Sequence, residues 1–246
     1  CRPRTAQELD AMRAYAASLD ADIVALQEVD SAAAVAALFP RSEWQIVMSS
    51  RDDNEPFECR QNGNPSTQQK VAFAVKNGIT ITSVESLDAF SLDRIGLRHG
   101  LEIDVDTPLG EATLLNLHMK SSCFVDDYSK DESPACQTFA RQASLLADQI
   151  RRYEQSDKPF IVLGDMNHRL SAPYNRLTRD IAQIAQDAKK HFLTPSFELI
   201  GCHPRYPAPI DHIIAGNFNG SATFNAQVHG YGGGGESNML SDHCAV

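Results

Sequence analysis

Five short segments of the sequence place acids, amides or histidines at the end of an apolar run. They are Leu26–Val29, Asn116–Lys120, Gly164–Asn167, Ile210–His212 and Ser241–His243. A carboxylate that is buried at the end of a strand needs a partner for its charge. Converging carboxylates favour a divalent cation with oxygen ligands, and their mixture with His, Asn and Lys favours metal-assisted hydrolysis. The pattern therefore predicts a hydrolytic site built from several strand ends.

Short apolar runs predict the strands that position these residues. The runs are Asp22–Glu28, Gln45–Ser49, Lys70–Val75, Ile79–Val84, Leu101–Val105, Ala112–His118, Phe160–Gly164, Ile210–Ala215 and Ala222–Val228. Several of them lack polar alternation, as strands do when both faces are buried between layers.

Helical spacing predicts three helices. The first begins after Thr5, which forms a capping box with Glu8, and ends near Asp20. The others run from about Gln137 to Gln155 and from about Tyr174 to Lys190. Many strands with few helices predict an α/β sandwich.

The length and net charge of the chain limit the number of domains and the ways in which it could bind a substrate. The chain has 246 residues, and sandwiches of ~200–250 residues often fold as one domain, so we predict a single domain over residues 1–246. We also expect a monomer, although the sequence carries no signal for the oligomeric state. The net charge of −10 is unlike that of a protein held to phosphate backbones by bulk attraction, which is usually basic. A polyanionic substrate would therefore be bound by a few local cations and a metal ion. No window approaches the ~20 apolar residues of a membrane span, so we expect no stable membrane insertion.

The ordered series LQEV, NLHMK, GDMN, IDH and SDH resembles the endonuclease/exonuclease/phosphatase superfamily, which has the deoxyribonuclease I-like fold. The resemblance covers residues 23–246. It implies a four-layer α/β/β/α sandwich of two mixed β-sheets, with the active site in a cleft at one edge. The family begins with a strand that carries a site asparagine and ends with a strand just after the SDH motif. Neither strand is found here, so we expect that the terminal strands are missing from this chain.

The same resemblance implies a metal ion and a catalytic group. Glu28 resembles the family's metal-binding glutamate, and Asp242 resembles a second metal ligand. The expected ion is Mg²⁺, with Mn²⁺ or Ca²⁺ as alternatives. Asp165 resembles the aspartate that orients or deprotonates the attacking water, and His118 resembles the other histidine of the site.

The remaining site residues are expected to contact the phosphate. His243 resembles the histidine that hydrogen-bonds the scissile phosphate, and Asp211 resembles the carboxylate that fixes its tautomer and raises its pKa. Asn167 resembles the amide that holds the phosphate. Arg98 and Lys120 are candidate phosphate-binding cations, although either is equally compatible with an ordinary surface position.

These residues predict a metal-dependent phosphoric ester hydrolase, and the leading interpretation is a nuclease that cleaves DNA or RNA. The alternative is a phosphomonoesterase that acts on an inositol phosphate or another small phosphate ester. It draws on the stretch Gly-Asp-Met-Asn-His-Arg, which is similar to that of inositol polyphosphate 5-phosphatases, but Tyr206–Ile210 does not match their second motif. A sphingomyelinase-like activity and a catalytically inactive binding module are further alternatives. The first lacks an exposed aromatic hairpin, and the second would not need the full set of site residues.

The chain has six cysteines, and their spacing indicates the cellular compartment in which the protein acts. They form no C-x-x-C pair, so a zinc site is not expected, and scattered even cysteines favour disulfides in an oxidising compartment. We predict a Cys123–Cys136 bridge because the two lie close in the sequence. The partners of the other four remain unassigned: Cys1, Cys59, Cys202 and Cys244. The bridge predicts a secreted or periplasmic protein, and buried thiols in a cytosolic protein are the alternative.

Overall fold

The computed structural model describes most of the chain. The described residues are 4–52, 57–58, 65–66, 68–108, 110–187, 203, 209–218, 224–231 and 239–246.

Four α-helices are described: α1 (Ala6–Ser18), α2 (Ala32–Leu38), α3 (Pro134–Ser156) and α4 (Arg176–Asp187). Helix α1 begins with the predicted capping box of Thr5 and Glu8. Helix α3 begins after Ser133, whose side chain accepts a hydrogen bond from the Cys136 backbone, as an N-cap residue does. Two short 3₁₀ turns, Asp88–Ser91 and Tyr128–Lys130, complete the helical structure of this part of the chain.

The described strands are β1 (Ile23–Val29), β2 (Trp44–Met48), β3 (Phe57–Glu58), β4 (Pro65–Ser66), β5 (Lys70–Lys76), β6 (Thr80–Leu87), β7 (Gly100–Thr107), β8 (Gly110–His118), β9 (Phe160–Asp165) and β10 (Asp211–Gly216). One sheet has the order β1-β5-β2, and its described pairings are antiparallel. A second sheet has the order β10-β9-β8-β7-β6, in which β8 and β9 are parallel. Strands β3 and β4 form a separate hairpin-like pair.

Three apolar clusters separate four layers. Val71, Phe73 and Val75 of β5 pack in a cluster with apolar residues of β7 and β8, between the two sheets. Ala72 and Ala74 belong to a second cluster with residues of α1 and α2. The alternation of side chains along a strand explains why one strand serves both clusters. A third cluster packs α3 and α4 on the outer face of the larger sheet. The predicted four-layer sandwich is confirmed.

Most predicted elements lie within a few residues of the described ones, and the differences are helix α2, the short strands β3 and β4, which were not predicted, and one predicted strand. Helix α2 was not predicted; its sequence is short and rich in alanine, so it lacks the polar and apolar faces that mark a helix. The strand predicted over Ala222–Val228 is wrong for residues 224–228, which form no strand. Its two remaining residues, 222 and 223, lie outside the described residues, as do residues 188–190 of the third predicted helix.

A disulfide joins Cys123 to Cys136, the predicted pair, with a Cα–Cα distance of 4.7 Å. Cys244 is also disulfide-bonded. Cys1, Cys59 and Cys202 lie outside the described residues. Among the helices of the described part of the chain, none has the length and apolar character needed to cross a membrane.

Candidate active site

Strand ends of the larger sheet bring three predicted site residues to the same level. In the parallel pair of β8 and β9, His118 lies opposite Asp165. In the antiparallel pair of β9 and β10, Asp211 also lies opposite Asp165. Asp165 therefore stands between His118 and Asp211 at one edge of the sheet.

Gly164 allows this close approach of β8 and β9. Its φ angle of +132° is one that other residues rarely adopt, and a Cβ atom there would lie 2.0 Å from the carbonyl oxygen of Leu117. The motif therefore needs glycine before Asp165 for a steric reason.

Asp165 is buried, with 5% of its surface exposed. Its Oδ1 atom accepts a hydrogen bond from the Asn167 backbone at 2.8 Å, and its Oδ2 atom lies 3.3 Å from Nε2 of His118. Burial raises the pKa of Asp165 to about 7, and the nearby charge of Asp211 adds to the increase. The carboxyl group therefore exchanges a proton near neutral pH, as an acid–base catalyst must.

His118 is held in its neutral form. Burial lowers the pKa of His118 to about 3, and the positive charge of Arg98 contributes in the same direction. Its Nδ1 atom is buried and has no hydrogen-bond partner among the described residues. A neutral imidazole with a proton on Nε2 would donate toward Oδ2 of Asp165 and leave Nδ1 as an unpaired acceptor.

His243 is held in its protonated, positively charged form. Its Nδ1 atom lies 2.7 Å from Oδ2 of Asp211. The hydrogen bond from this carboxylate raises the pKa of His243 to about 9, despite the opposing effect of burial. At neutral pH, His243 therefore carries a positive charge beside the carboxyl group of Asp165.

Two tyrosines hold the segment that carries His243 against α1. The hydroxyl of Tyr231 donates to the His243 carbonyl at 2.6 Å, and the backbone N–H of Ala245 donates to the hydroxyl of Tyr15 at 2.9 Å. The two rings lie 4.4 Å apart. The sequence has no signal for the role of Tyr15, because its contact with Ala245 joins residues 230 positions apart.

Glu28 reaches the site through an irregularity in β1. The register of β1 and β5 shifts between Leu26 and Val29, and Glu28 has a φ angle of +57°. Such a bulge re-aims a side chain. The Oε1 atom of Glu28 accepts a hydrogen bond from Nη2 of Arg98 at 3.2 Å, and its charge raises the pKa of Asp165.

The predicted metal ligands line the same cavity as four of the five predicted catalytic residues, all except Asn167. The cavity has a volume of about 260 Å³. Its lining includes Glu28, His118, Asp165, Asp211, Asp242 and His243. Within the described residues, the acids and histidine that converge most closely are Asp165, Asp211 and His243, whose ligand atoms all lie within 4.8 Å of one another. Neither Glu28 nor Asp242 belongs to that group of three.

The candidate phosphate-binding residues Asn167, Arg98 and Lys120 are not among those that line the cavity, but Asn167 and Arg98 hydrogen-bond to Asp165 and Glu28, which do. The backbone of Asn167 has a φ angle of +50°, and its side-chain amide donates to the Met119 carbonyl at 3.0 Å. Arg98 donates from Nη2 to Oε1 of Gln69 at 2.5 Å as well as to Glu28. Burial lowers the pKa of Arg98 and that of Lys120. Gln69 was not predicted as part of the site.

Asn116 joins the two sheets behind the site. Its side-chain amide donates to the carbonyls of Leu26 and Ala72 at 3.1 and 2.8 Å, and its oxygen accepts from the side chain of Gln27 at 2.7 Å. It is fully buried. A polar residue inside an apolar run is a signal in the sequence for such a role, because a buried amide must be hydrogen-bonded.

Comparison with known proteins gives a family and several similar structures. A family model described as "Endonuclease/Exonuclease/phosphatase family" matches residues 2–243. No curated protein sequence is significantly similar to the chain.

Three solved structures illustrate the similarity of fold. TDP2 from D. rerio, complexed with a single-strand DNA product, has 14% sequence identity and a TM-score of 0.65, over 97% of this chain and 89% of that chain. The human Nocturnin catalytic domain, with a bound sulfate anion, has 13% identity and a TM-score of 0.61, over 86% and 75% of the two chains. The mannosyl-6-phosphatase Bt3783 from Bacteroides thetaiotaomicron has 15% identity and a TM-score of 0.56, over 85% and 76%. The deoxyribonuclease I-like fold is therefore confirmed.

Proposed function

Because the chain belongs to the Endonuclease/Exonuclease/phosphatase family, whose members hydrolyse phosphoric esters, we propose that it is a Mg²⁺-dependent phosphodiesterase that cleaves nucleic acid. The observation that carries the proposal is the arrangement around Asp165. This buried carboxyl group with a pKa of about 7 lies between a neutral His118 and a positively charged His243. One site thus holds a proton acceptor and a cation side by side.

In the proposed mechanism, Asp165 accepts a proton from the attacking water and orients that water. Its pKa of about 7 makes the ionised form abundant at neutral pH and keeps the group basic enough to take the proton. The hydrogen bond from the Asn167 backbone to Oδ1 fixes the carboxylate in position. His118 fixes the other oxygen from the adjacent strand.

His243 stabilises the negative charge that grows on the phosphate oxygens. Asp211 keeps its imidazole protonated and leaves Nε2 as the donor, since Nδ1 is occupied. Preorganised donors and cations of this kind contribute most when they point at charge that develops in the transition state. Asn167 and Arg98, which hydrogen-bond to Asp165 and Glu28, supply further donors, as does Lys120.

The donor chemistry of the cavity fits a divalent cation. Carboxylate oxygens are the ligands that Mg²⁺ and Mn²⁺ prefer, and several face one cavity. We assign Glu28 and Asp242 as its ligands. When bound, the ion would neutralise charge on the phosphate and on the departing oxygen.

Two similar structures favour different ester classes. The TDP2 structure contains a single-strand DNA product, which supports a nuclease or another activity on nucleic acid. The mannosyl-6-phosphatase supports the second candidate, a phosphomonoesterase that acts on an inositol phosphate or another small phosphate ester. The cations Arg98 and Lys120 near the site are compatible with both, and we place the nuclease first.

We further propose that the protein is a single-domain monomer that acts in a secreted or periplasmic compartment. The Cys123–Cys136 bridge and the bonded Cys244 support export, because disulfides persist in oxidising environments.

Two assays run side by side test the proposed function. Supercoiled plasmid is incubated with the protein in Mg²⁺ or in chelator, and release of inorganic phosphate from inositol phosphates and sugar phosphates is measured under the same conditions. A nuclease converts the plasmid to nicked and linear forms only with metal and releases no phosphate. Phosphate release without nicking would replace the first candidate by the second. If the plasmid, linear DNA, single-stranded RNA and the small phosphate esters all stay intact, in protein with a normal melting transition, both candidates are contradicted.

A further inference from the structure

Four basic side chains form a group that the catalytic assignment does not fully use, and one of them, Arg98, donates a hydrogen bond to Glu28, which lines the cavity. The basic cluster comprises Arg51, Arg94, Arg98 and Lys120. Arg51 follows β2, Arg94 and Arg98 lie before β7, and Lys120 follows β8. Three loops of both sheets therefore contribute to it, in a chain whose net charge is −10.

Hydrogen bonds bring these loops together. Nη2 of Arg51 donates to the Arg94 carbonyl at 2.9 Å, and Nη1 of Arg94 donates to the Thr138 hydroxyl at 2.6 Å. The Lys120 backbone donates to Oε1 of Gln142 at 2.7 Å. Thr138 and Gln142 are buried and lie one turn, roughly 6 Å, apart on α3, so neighbouring turns of this helix hold the Arg94 side chain and the Lys120 backbone.

The charges in the basic cluster also act on one another. Arg51 lowers the pKa of Arg98, whereas Arg94 and Arg98 both lower the pKa of Lys120. Arg98 in turn feels the charge of Asp165, which places this end of the cluster next to the catalytic carboxyl group. Like charges that repel at close range are a cost to the folded protein unless an anion binds between them.

Few carboxylates balance the positive charge of the basic cluster. Over the residues that the structure describes, Arg98 pairs with Glu28, but no carboxylate forms an ion pair with Arg51, Arg94 or Lys120. The Nε atoms of Arg51 and Arg98 are buried without a hydrogen-bond partner in the same set. A buried donor without an acceptor destabilises the folded protein, so these atoms gain from an acceptor supplied by a ligand.

We propose that Arg51 and Arg94, with Arg98 and Lys120, form a second anion subsite that binds a phosphate adjacent to the one that is hydrolysed. The inference rests on the proposed function and narrows its substrate class to esters with at least two phosphates. A nucleic-acid strand and a bisphosphorylated small molecule share that chemistry. Guanidinium groups suit it because they donate two parallel hydrogen bonds to a phosphate.

Binding measurements in chelator test the subsite without turnover. Dissociation constants are measured by calorimetry for thymidine 5′-phosphate, thymidine 3′,5′-bisphosphate and inositol 1,4-bisphosphate. The variants are Arg51→Gln and Arg94→Gln. The matched control is Arg151→Gln, which changes an exposed arginine of α3 that is paired with Asp148 and lies roughly 20 Å along the helix from Thr138.

The wild type is expected to bind one of the bisphosphates about tenfold more tightly than the monophosphate, which corresponds to about 1.4 kcal/mol. In each of the two variants this ratio should fall to about two, because a charged hydrogen-bond donor is lost, while Arg151→Gln keeps the ratio of the wild type. A preference for the thymidine bisphosphate identifies a nucleic-acid strand as the source of the second phosphate, and a preference for the inositol compound identifies a small phosphate ester.

The subsite is overturned if the wild type binds mono- and bisphosphates equally, or if the preference survives in both variants with normal melting temperatures. Its failure is distinct from failure of the proposed function. Protein that prefers bisphosphates but hydrolyses no phosphate ester would support the subsite and contradict the proposed function. Protein that hydrolyses phosphate esters without a preference for bisphosphates would support the proposed function and contradict the subsite.

Discussion

The imidazole of His243 and the carboxylate of Asp211 lie 2.7 Å apart, with Nδ1 facing Oδ2. Asp211 begins β10, where it stands opposite Asp165, whereas His243 belongs to a segment anchored on α1. Their contact thus links the larger sheet to the first helix across the cavity. The hydrogen bond with Asp211 raises the pKa of His243 to about 9, and the negative charge of Asp211 raises the pKa of Asp165, whereas the positive charge of His243 lowers it.

These pKa values predict a bell-shaped dependence of kcat/KM on pH. Asp165 must be ionised, so the rate rises with pH through a pKa of about 7. His243 must be protonated, so the rate falls again above a pKa of about 9. In Asp211→Asn the pKa of His243 moves toward its ordinary value of about 6.5, and that of Asp165 also falls. Both limbs of the profile should therefore move to lower pH.

The control for this profile is Asp106→Asn, which changes an exposed aspartate at the far end of β7. It should leave both limbs in place. An alkaline limb that stays near the wild-type position in Asp211→Asn would show that the carboxylate does not act through His243.

Much of this arrangement follows from local sequence. The apolar runs before His118 and Asp165 are long enough to mark β8 and β9. The second run ends in a glycine because a Cβ atom at position 164 would clash with the Leu117 carbonyl. The order of five motifs indicated which side chains meet. The strand predicted over Ala222–Val228 was wrong for residues 224–228, because a favourable local pattern forms a strand only where a neighbouring strand can pair with it.

Contacts between distant segments could not be predicted in this way. The bulge at Glu28, its hydrogen bond to Arg98 and the bridge of Asn116 between the sheets depend on how the two sheets meet. The pKa values of Asp165 and His118 depend on burial, which a motif does not give. The roles of Tyr15 and Tyr231 also depend on contacts between distant segments, so these roles had no signal in the sequence.

Glu28→Gln tests the assignment of the metal ligand. The change removes the charge of the carboxylate with little change in volume, so we expect loss of most activity and an intact fold. Mn²⁺ affinity, measured by calorimetry, should fall by roughly tenfold or more, since even partners of metal ligands change affinity by about 10–100-fold. Glu43→Gln alters an exposed glutamate before β2 and should change neither quantity. Near-normal activity at saturating Mg²⁺ would remove Glu28 from the metal site.

Gly164→Ala tests whether the close approach of β8 and β9 is a steric requirement. A Cβ atom there would lie 2.0 Å from the Leu117 carbonyl, so the variant should lose more than ~4 kcal/mol of unfolding free energy or fail to fold. Gly110 has a φ angle of +109° and no atom within 4 Å of a Cβ, so Gly110→Ala should lose only about 1–2 kcal/mol. Equal losses in urea titrations of the two variants would remove the steric explanation.

The Cys123–Cys136 bridge predicts a specific peptide pattern. A non-reduced tryptic digest of protein prepared under oxidising conditions should link residues 121–130 to residues 131–141. Replacing both cysteines by alanine should cost about 3 kcal/mol, as expected for a loop of this length, and lower Tm by roughly 6–12 °C. A free thiol on Cys123 in the oxidised protein would contradict the bridge and weaken the proposal of an exported protein.

The role of Asp165 in activating water is tested most directly by kcat for phosphodiester hydrolysis in Asp165→Asn. Bis(p-nitrophenyl) phosphate at saturating Mg²⁺ gives a continuous readout, and metal affinity and Tm are measured on the same sample. Loss of a general base should lower kcat by about 10²–10⁴-fold while metal binding and the melting transition remain. A kcat close to that of the wild type would contradict the assignment of Asp165 and, with it, the proposed mechanism.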